Sequence, residues 1–558
     1  MVKINIIFLF IFSFNIISIS STQRHLVKDL FNGLYDKEIY SGYLKTDIKG
    51  TELFYIFTPS QSSPKKDPII LWLTGGPSCS SIYNLFEDIG PLIFIPNKKE
   101  PIINEYAWNK NANIFYIDSP GGVGFSKLKN KDFNYNDDNQ AVSLNIAIQN
   151  FFEIFNEYQK HPFYIAGVSY AGTYIPHLVT KMFKYMEDNP DAIKINLKGF
   201  LIGNPYTNQN TDYEDSIIEF CYSHALINTE SFQKYLKECP HWPQVEKILK
   251  SYNESKDYEF DPIINKDLNS PLKNVTRACN EVRKDIKKQL EGINAYGILN
   301  SCIKSNTISE LKKGYNNINY DDINLYSQQI IFKNMINKNI NKKYEMTDDY
   351  EYEVDILPSC GYNKYTPDFL NNSTTKKKLG VDESMICSMC SNLDYKMGDS
   401  MFYYKKDIKE LSSKKNFSSW LYSGTEDIIV TPLATLRTLK YLNYTIKEKW
   451  KRWKVDGQVV GMEQIYEYGL RFITVKNAGH MVVEDNPKIA KALLDKFIEF
   501  NQVDDEVKII ELFPVWIIIP IFISCLLIII IFVVILALKK KRKDLNIEVE
   551  EKDNLIEE

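Results

Sequence analysis

Short apolar runs recur along this chain, and each of them stops at a turn rich in glycine, proline or polar residues. Such runs are typical of strands that are buried on both faces of a sheet. Segments with helical apolar spacing lie between several of them. This alternation predicts an α/β fold with a mainly parallel sheet and helices on both faces. The predicted strands are 69–73, 114–117, 163–166, 197–202, 418–422 and 472–475, and the predicted helices are 141–158, 175–186 and 487–500.

The strand pattern is interrupted over residues 206–395, where charged and Asn-rich helical segments dominate. Because strands return afterwards, the simplest interpretation is one α/β core with an insertion. The predicted domains are a first core part (22–205), an inserted cap (206–395), a second core part (396–502) and a stalk (503–512). We expect the insertion to cover the functional site as a lid.

The N-terminal segment has the composition of a signal peptide. Lys3 precedes an uncharged, mostly apolar run over 4–19, and small residues follow it. We therefore predict a signal peptide over residues 1–21. An N-terminal membrane anchor is the alternative, although the run is short for a spanning helix.

The C-terminal region predicts a membrane span. Residues 513–538 carry no formal charge, and five cations follow at 539–543. Such a segment is long enough to cross a bilayer of about 30 Å, and the cations favour a cytosolic tail (539–558) with a lumenal body. Residues 551–556 have the acidic-x-x-x-Leu-Ile form of an endolysosomal sorting signal. We expect a secretory or endolysosomal membrane (lysosome, vacuole or Golgi), with the plasma membrane as the alternative.

Cysteines and glycosylation sequons agree with an oxidising compartment. Eight of the nine cysteines lie between the apolar ends, which predicts disulfides whose pairing the sequence leaves open. Cys387 and Cys390 have the spacing of a redox or zinc pair, but no second pair or suitably spaced His accompanies them, so we expect no metal. Six N-x-S/T sequons predict glycosylation. They begin at Asn253, Asn274, Asn371, Asn372, Asn416 and Asn443.

Composition excludes some classes of partner. The formal net charge of −4 gives no reason to expect a nucleic-acid partner. We found no motif that indicates a cofactor, and none is expected.

A candidate nucleophile follows the third predicted strand. In Gly167-Val-Ser169-Tyr-Ala-Gly172 a strand passes through a glycine-flanked Ser into a helix, as in a nucleophile elbow. Small residues are needed around such a Ser because the turn is tight. The motif alone is weak evidence for a nucleophile, and the predicted strand before it strengthens the assignment.

A Ser nucleophile needs a base and a group that orients the base. Of the six His residues, only His480 follows a strand late in the chain. Asp427 also follows a strand and lies between Ser169 and His480. The chain order Ser, Asp, His is that of α/β-hydrolases, and all three follow strand ends, where open α/β sheets place their sites. For the oxyanion hole, the backbone N–H groups of Tyr170 and Gly76 are the predicted donors.

Five ordered motifs resemble those of serine carboxypeptidases. They are WLTGGPSCSS at 72–81, DSPGGVGFS at 118–126, GVSYAG at 167–172, the segment 416–432 and GHMV at 479–482. The resemblance extends over about 40–500. It implies an α/β-hydrolase fold with an inserted helical cap, and removal of residues from the C-termini of peptides and proteins. It also implies a disulfide between Cys79 and Cys360, and allows a homodimer.

The resemblance weakens where the substrate's terminal carboxylate would bind. The family uses an Asn, a Gly and two Glu that share a proton, which gives an acidic optimum. Here Thr74 stands for the Asn, Gly75 is retained, Asp88 stands for one Glu, and Val168 replaces the other. We therefore expect from the sequence a weaker dependence on acid.

Three functions remain open at this point. The leading one is peptide hydrolysis through an acyl-enzyme on Ser169. A second keeps the three catalytic groups but transfers the acyl group to an alcohol or cleaves esters, which Val168 makes worth considering. A third is a lumenal binding or protective protein without catalysis, which the intact Ser, Asp and His order disfavours.

Overall fold

The structure is a computed structural model that describes residues 24–95, 98–130, 132–208, 214–239, 276–300, 365–398, 400–415, 417–512, 523–524 and 526–542. The predicted signal peptide, much of the predicted cap and most of the predicted cytosolic tail lie outside these residues. The chain divides into two compact units, residues 1–494 and 495–558. The sheet and the candidate site belong to the first.

Sixteen strands occur in the described residues. They are β1 (His25–Leu26), β2 (Tyr40–Lys45), β3 (Thr51–Thr58), β4 (Ile69–Thr74), β5 (Leu92–Ile93), β6 (Ile102–Ile103), β7 (Asn113–Ile117), β8 (Lys127–Leu128), β9 (Tyr135–Asn136), β10 (Phe163–Val168), β11 (Leu197–Gly203), β12 (Tyr395–Lys396), β13 (Ser418–Gly424), β14 (Ile446–Val455), β15 (Gln458–Tyr466) and β16 (Leu470–Val475). All six strands predicted from apolar runs are confirmed, with small differences at their ends.

Twelve of these strands form one mixed sheet in the order β1-β2-β3-β7-β4-β10-β11-β13-β16-β15-β14, with β8 on β3. The six central strands, β7 to β16 in this order, are parallel. The strands on both sides of them are antiparallel. The prediction of a mainly parallel sheet therefore holds for the centre and not for the edges. Edge hairpins such as β14–β15 are joined by turns too short for a parallel connection.

Thirteen α-helices lie within the described residues up to 512. They are α1 (Ser81–Glu87), α2 (Asp137–Ile154), α3 (Ala171–Asp188), α4 (Glu214–Ser223), α5 (Thr229–Glu238), α6 (Arg277–Gln289), α7 (Tyr365–Asn371), α8 (Ser373–Leu379), α9 (Met401–Tyr403), α10 (Lys409–Lys415), α11 (Pro432–Leu442), α12 (Val482–Asp485) and α13 (Pro487–Leu512). A π-helical turn, Tyr404–Ile408, joins α9 to α10.

The helix α2 shows how the sequence determines where a helix begins and which face it buries. It begins earlier than predicted because Asn136 and Asn139 form a reciprocal capping box. Its apolar face packs on the sheet, where the Phe151 ring stacks on Phe115 with centroids 4.0 Å apart. Burial of such aromatic side chains contributes about 2 to 3 kcal/mol each. The main core therefore lies between the sheet and its helices.

The predicted membrane span is only partly described. Residues 513–522 and 525 lie outside the described part, and 526–542 are helical. Within the residues that the structure describes, no helix meets both the length and the hydropathy needed to cross a membrane.

Candidate active site

Ser169 lies in the sharp turn between β10 and α3. Its φ of 64° is in the left-handed region, which a non-glycine residue adopts only when its surroundings impose it. A Cβ on Gly167 would be 2.5 Å from the Leu73 carbonyl oxygen, and one on Gly172 would be 2.6 Å from that of Tyr206. Close packing on both sides of Ser169 therefore requires glycine, and the turn leaves the Ser169 side chain partly exposed.

Asp427 and His480 form a buried pair. The His480 Nδ1 and the Asp427 Oδ2 are 2.8 Å apart, and both side chains are almost completely buried. The Asp427 carboxylate also accepts hydrogen bonds from the Asn204 Nδ2 (2.7 Å) and from the backbone N–H groups of Ile429 (2.7 Å) and Val430 (3.2 Å). These donors fix the carboxylate, which in turn orients the imidazole.

The sheet order brings the ends of β10, β11, β13 and β16 together. The Ser169 N–H donates to the Gly203 carbonyl oxygen over 3.0 Å, and the next residue, Asn204, reaches Asp427.

The His480 Nε2 is buried and has no hydrogen-bond partner among the described residues. That nitrogen is therefore available to accept a proton, as a general base requires.

The predicted oxyanion donors flank Gly75. A Cβ on Gly75 would lie 2.3 Å from the Tyr170 nitrogen and 2.9 Å from the Ser169 Cβ. The bare Cα of residue 75 is therefore packed directly against the N–H of Tyr170. Gly76 follows at once, so the two predicted donors, Gly76 and Tyr170, lie on neighbouring pieces of backbone beside Ser169.

The Tyr170 ring is held by a buried carboxyl group. The Tyr170 hydroxyl donates to the Asp137 Oδ2 (3.2 Å), and the Tyr395 hydroxyl donates to the Asp137 Oδ1 (2.8 Å). The Gly398 N–H also donates to Asp137, over 2.7 Å. Burial raises the pKa of Asp137, while its hydrogen bonds oppose that rise. This cluster fixes Tyr170, whose backbone N–H is one of the two predicted oxyanion donors.

Two of the three predicted carboxylate-binding residues, Thr74 and Asp88, belong to a hydrogen-bonded row at the end of β4. The Trp72 Nε1 donates to the Thr74 Oγ1 over 3.2 Å, the Thr74 hydroxyl donates to the Asn84 Oδ1, and the Asn84 Nδ2 donates to the Asp88 Oδ2. Val168 pairs with Thr74 across the sheet and is buried. The proton of the Thr74 hydroxyl is therefore directed to Asn84, a residue that the sequence analysis missed.

The loop that carries His480 is held by the predicted insertion. The His480 N–H donates to the Tyr296 carbonyl oxygen over 2.6 Å, and the two rings meet edge to face with centroids 4.9 Å apart. Asp485 accepts from the Gly479 N–H (2.7 Å) and from the Asn300 Nδ2 (2.6 Å). Burial raises the pKa of Asp485, and the charge of Asp427 adds to this effect.

Among the residues that sequence reasoning missed, Asn204 had a usable signal. It follows β11 directly, at the same sheet edge as the three predicted catalytic residues. Tyr296 had none, because it lies in a segment without sheet pattern.

The predicted disulfide is wrong for Cys79, which is bonded to Cys390 instead of Cys360. The Ser80 N–H donates to the Met389 carbonyl oxygen over 2.7 Å, and this short antiparallel pairing brings the two Cα atoms within 3.9 Å. Cys360 lies outside the described residues. A second disulfide joins Cys239 to Cys279. Cys221 and Cys387 are buried and form no disulfide with another cysteine of the described residues.

The described sequons differ in their surroundings. Asn372 and Asn443 are exposed. The Asn371 side chain is half-buried, and its Nδ2 donates to the carbonyl oxygens of Pro367 and Cys387, both over 2.9 Å. A glycan on Asn371 would need this amide, so Asn372 is the better acceptor of the two. Asn253, Asn274 and Asn416 lie outside the described residues.

No group of three or more His, Cys, Asp or Glu side chains in the described part of the chain could hold a metal ion. Cys390 is engaged in its disulfide, so the Cys387–Cys390 spacing does not form a zinc pair here.

Comparisons with known proteins agree with this geometry. A sequence profile of the serine carboxypeptidase family matches residues 31–500. Serine carboxypeptidase-like 20 of Arabidopsis thaliana is 27% identical over 88% of this chain and 95% of its own length. Serine carboxypeptidase 1 of Hordeum vulgare is 27% identical over 84% of this chain and 91% of its own length.

A solved structure shows the same fold. The Saccharomyces cerevisiae prohormone-processing carboxypeptidase Kex1(Δ)p superposes with a TM-score of 0.61 at 18% identity, covering 86% of this chain and 96% of that one. Since the profile matches most of the residues, the chain belongs to the serine carboxypeptidase family, with its α/β-hydrolase fold.

Proposed function

We propose that this protein removes residues from the C-termini of peptides through an acyl-enzyme on Ser169. The observation that carries the proposal is the buried Asp427–His480 pair, 2.8 Å apart, at the strand ends next to the Ser169 turn. That pair is what a Ser nucleophile requires, since a hydroxyl attacks a peptide bond only when a positioned base removes its proton.

The proposed reaction proceeds in two halves. The Ser169 Oγ forms a bond to the last peptide carbonyl carbon while its proton passes to the His480 Nε2. The Tyr170 and Gly76 N–H groups stabilise the oxyanion, with about 3 kcal/mol for each donor. The C–N bond then breaks, and the proton on His480 passes to the leaving amino group. Water, deprotonated by His480, hydrolyses the ester and restores Ser169.

The experiment compares substrates on the full-length, detergent-solubilised protein. An N-blocked dipeptide with a free terminal carboxylate, its amide and its ester separate the candidate activities. A carboxypeptidase prefers the free carboxylate. A fluorophosphonate should label the wild-type protein and not the Ser169→Ala variant. Equal labelling of both, or no peptide hydrolysis from about pH 5 to pH 8, would reject the proposal.

Acyl transfer or ester cleavage is a second candidate, favoured by one observation. Val168 is buried at the end of β10, opposite Thr74, where the resemblance implies a carboxyl group. A relative named serine carboxypeptidase-like 20 aligns with 88% of this chain. Indifference to the free carboxylate, with rapid turnover of the ester, would support this candidate over the first.

We further propose a lumenal catalytic body with a single C-terminal membrane anchor over residues 513–538 and a removed signal peptide over 1–21. The support is the uncharged sequence followed by cations, and the exposed apolar side chains of the helix 526–542. Retention of the full-length protein in membranes after alkaline extraction, with an endoglycosidase-sensitive mass, is the expected result. Release into the soluble fraction would contradict the anchor.

Sedimentation of the solubilised protein measures whether it is a homodimer, and imaging of the full chain tests the endolysosomal location.

A further inference from the structure

Asp137, the first residue of α2, is a buried carboxyl group that accepts hydrogen bonds from two distant segments of the chain. It is 3% exposed. Its Oδ2 accepts from the Tyr170 hydroxyl over 3.2 Å and from the Gly398 N–H over 2.7 Å. Its Oδ1 accepts from the Tyr395 hydroxyl over 2.8 Å. Three accepted bonds suit an ionised carboxylate, which can accept but not donate.

The start of α2 does not account for these contacts. The N-cap residue Asn136 already accepts from the Asn139 N–H and closes a capping box with that residue. An acidic side chain in the first turn stabilises a helix by about 0.3 to 1 kcal/mol through its charge alone, and it needs no partner elsewhere. The next residue, Asp138, is of this kind, since it is exposed and pairs with Lys181 over 3.0 Å. The inward direction of the Asp137 carboxylate therefore calls for another explanation.

The Tyr170 side chain connects Asp137 to one predicted oxyanion donor. Tyr170 is completely buried, so its ring is not exposed to a substrate. The ring packs edge to face on Tyr174 with centroids 5.1 Å apart, and it stacks on Tyr206 at 5.5 Å. The bond from its hydroxyl to Asp137 fixes the far end of the ring. With both ends of the side chain held, the backbone N–H of Tyr170 is held as well.

The same cluster reaches the loop that carries the other predicted donor, Gly76. The Ser78 N–H donates to the Tyr174 hydroxyl over 3.0 Å. The rings of Tyr174 and Tyr395 lie with centroids 6.0 Å apart, and their side chains are hydrogen-bonded. Tyr395 in turn donates to Asp137. Because Ser78 is only two residues beyond Gly76, the carboxylate is connected to the second donor segment through two tyrosines.

Tyr395 and Gly398 belong to the segment where the chain returns from the predicted insertion. The short strand β12 pairs in parallel with β9, which places Tyr395 opposite Tyr135, two residues before Asp137. A Cβ on Gly398 would be 2.6 Å from the Asp137 Oδ2, so the backbone lies directly against the carboxylate. The Gly398 N–H also donates to the Tyr170 hydroxyl over 3.1 Å. Three segments that are distant in sequence therefore meet at one carboxylate.

We infer that Asp137 is a positioning residue for the oxyanion hole, which sets the places of the Tyr170 and Gly76 N–H groups without touching the substrate. The inference rests on the proposed acyl-enzyme reaction and adds a residue to the same site. Oxyanion donors act only when they point at the oxygen as it becomes charged, and a misplacement of about 1 Å costs about 100-fold. Loss of Asp137 therefore lowers kcat more than it raises KM.

The first measurement is steady-state hydrolysis of the blocked dipeptide by the full-length solubilised protein. Asp137→Asn has the same size but only one acceptor oxygen, so kcat should fall about 10- to 100-fold while KM changes less than about threefold. Tyr170→Phe keeps the backbone N–H and loses only the hydroxyl, so kcat should fall about tenfold. Asp138→Asn removes the neighbouring charge at the same helix end, and as the matched control it should keep kcat within about twofold.

A double variant separates positioning from a general loss of packing. Because the Tyr170 hydroxyl acts through Asp137, the Asp137→Asn/Tyr170→Phe protein should have a kcat within about twofold of Asp137→Asn alone. A loss equal to the product of the two single losses would mean independent damage and would overturn the inference. Thermal unfolding checks that each variant is folded. If Asp137→Asn does not fold, Tyr170→Phe decides, and a folded Tyr170→Phe protein with kcat within about twofold of wild type overturns the inference.

Fluorophosphonate labelling keeps this test separate from the proposed peptidase function. The reagent bonds to the Ser169 Oγ and places a phosphoryl oxygen in the oxyanion hole, so the labelling rate depends on that hole and not on a peptide. The rate should fall about tenfold or more in Asp137→Asn and stay unchanged in Asp138→Asn.

The outcomes of the labelling experiment are distinct. Equal labelling rates for wild type and Asp137→Asn overturn the inference, even if the wild type hydrolyses peptides. Slower labelling of Asp137→Asn, without peptide hydrolysis by the wild type, supports the inference and rejects the peptidase proposal alone. No labelling of the wild type overturns both.

Discussion

Replacement of Gly75 by Ala tests the oxyanion geometry most directly. The added Cβ would be 2.3 Å from the Tyr170 nitrogen, while non-bonded heavy atoms prefer about 3.5 Å. The backbone must therefore move by about 1 Å at the Tyr170 nitrogen, which is predicted to donate to the oxyanion. A displacement of this size costs about 100-fold, and loss of one donor costs about 100- to 1000-fold in kcat. We expect kcat for the dipeptide to fall within that range.

The assay for this variant separates catalysis from folding. Steady-state hydrolysis gives kcat and KM, the rate of fluorophosphonate labelling reports the Ser169 nucleophile, and thermal unfolding reports stability. Gly457→Ala is the control, because a Cβ there meets nothing within 4 Å, although its φ of 74° costs about 1 kcal/mol of stability. The reasoning is refuted if a folded Gly75→Ala protein keeps kcat within about threefold of wild type.

Four further outcomes follow from the same structure. Asp427→Asn should lower kcat by about 10⁴-fold with little change in KM, measured by steady-state hydrolysis, and an unchanged rate would contradict the assigned role. Asn204→Leu should lower kcat by about 10- to 100-fold, since Asp427 loses one donor. Non-reducing peptide mapping should recover Cys79 linked to Cys390. The Cys79→Ser variant should lose up to about 5 kcal/mol of its free energy of unfolding, because the disulfide joins residues 311 positions apart in sequence. Burial raises the pKa of Asp88 to about 7, so ionisation of this group costs stability from about pH 4 upwards. The free energy of unfolding should therefore fall by at most about 4 kcal/mol between about pH 4 and pH 7. The fall should be smaller in the Asp88→Asn variant.

The sequence predicted the centre of the sheet because the physical signal there is strong. A strand buried on both faces is a nearly continuous apolar run, and residues 69–73 of β4 satisfy this. The edge strands were not predicted, since β14 is exposed along most of its length and carries many charges. Ser169, Asp427 and His480 were predicted for a similar reason, because each lies within five residues of the end of a buried strand.

The remaining site residues depend on contacts between segments that the sequence does not place. The partner of Cys79 was assigned by resemblance, whereas the short pairing of Ser80 with Met389 decides it. The sequence did show that Val168 lacks the carboxyl group that the resemblance implies at this position.

The insertion was predicted to cover the site, but its described residues do something else. They hold the loop that carries His480, the predicted base. The His480 backbone N–H has its acceptor on Tyr296, and Asn300 binds the carboxylate that holds Gly479. Both contacts involve the described part of the predicted cap, where the Tyr296 carbonyl oxygen accepts and the Asn300 amide donates, while Asp427 and Ser169 come from the core. The imidazole is thus held on its Nδ1 by the core and along its backbone by the insertion. A change in residues 294–300 is therefore expected to alter the position of His480, the predicted base, and with it the activity that depends on that base.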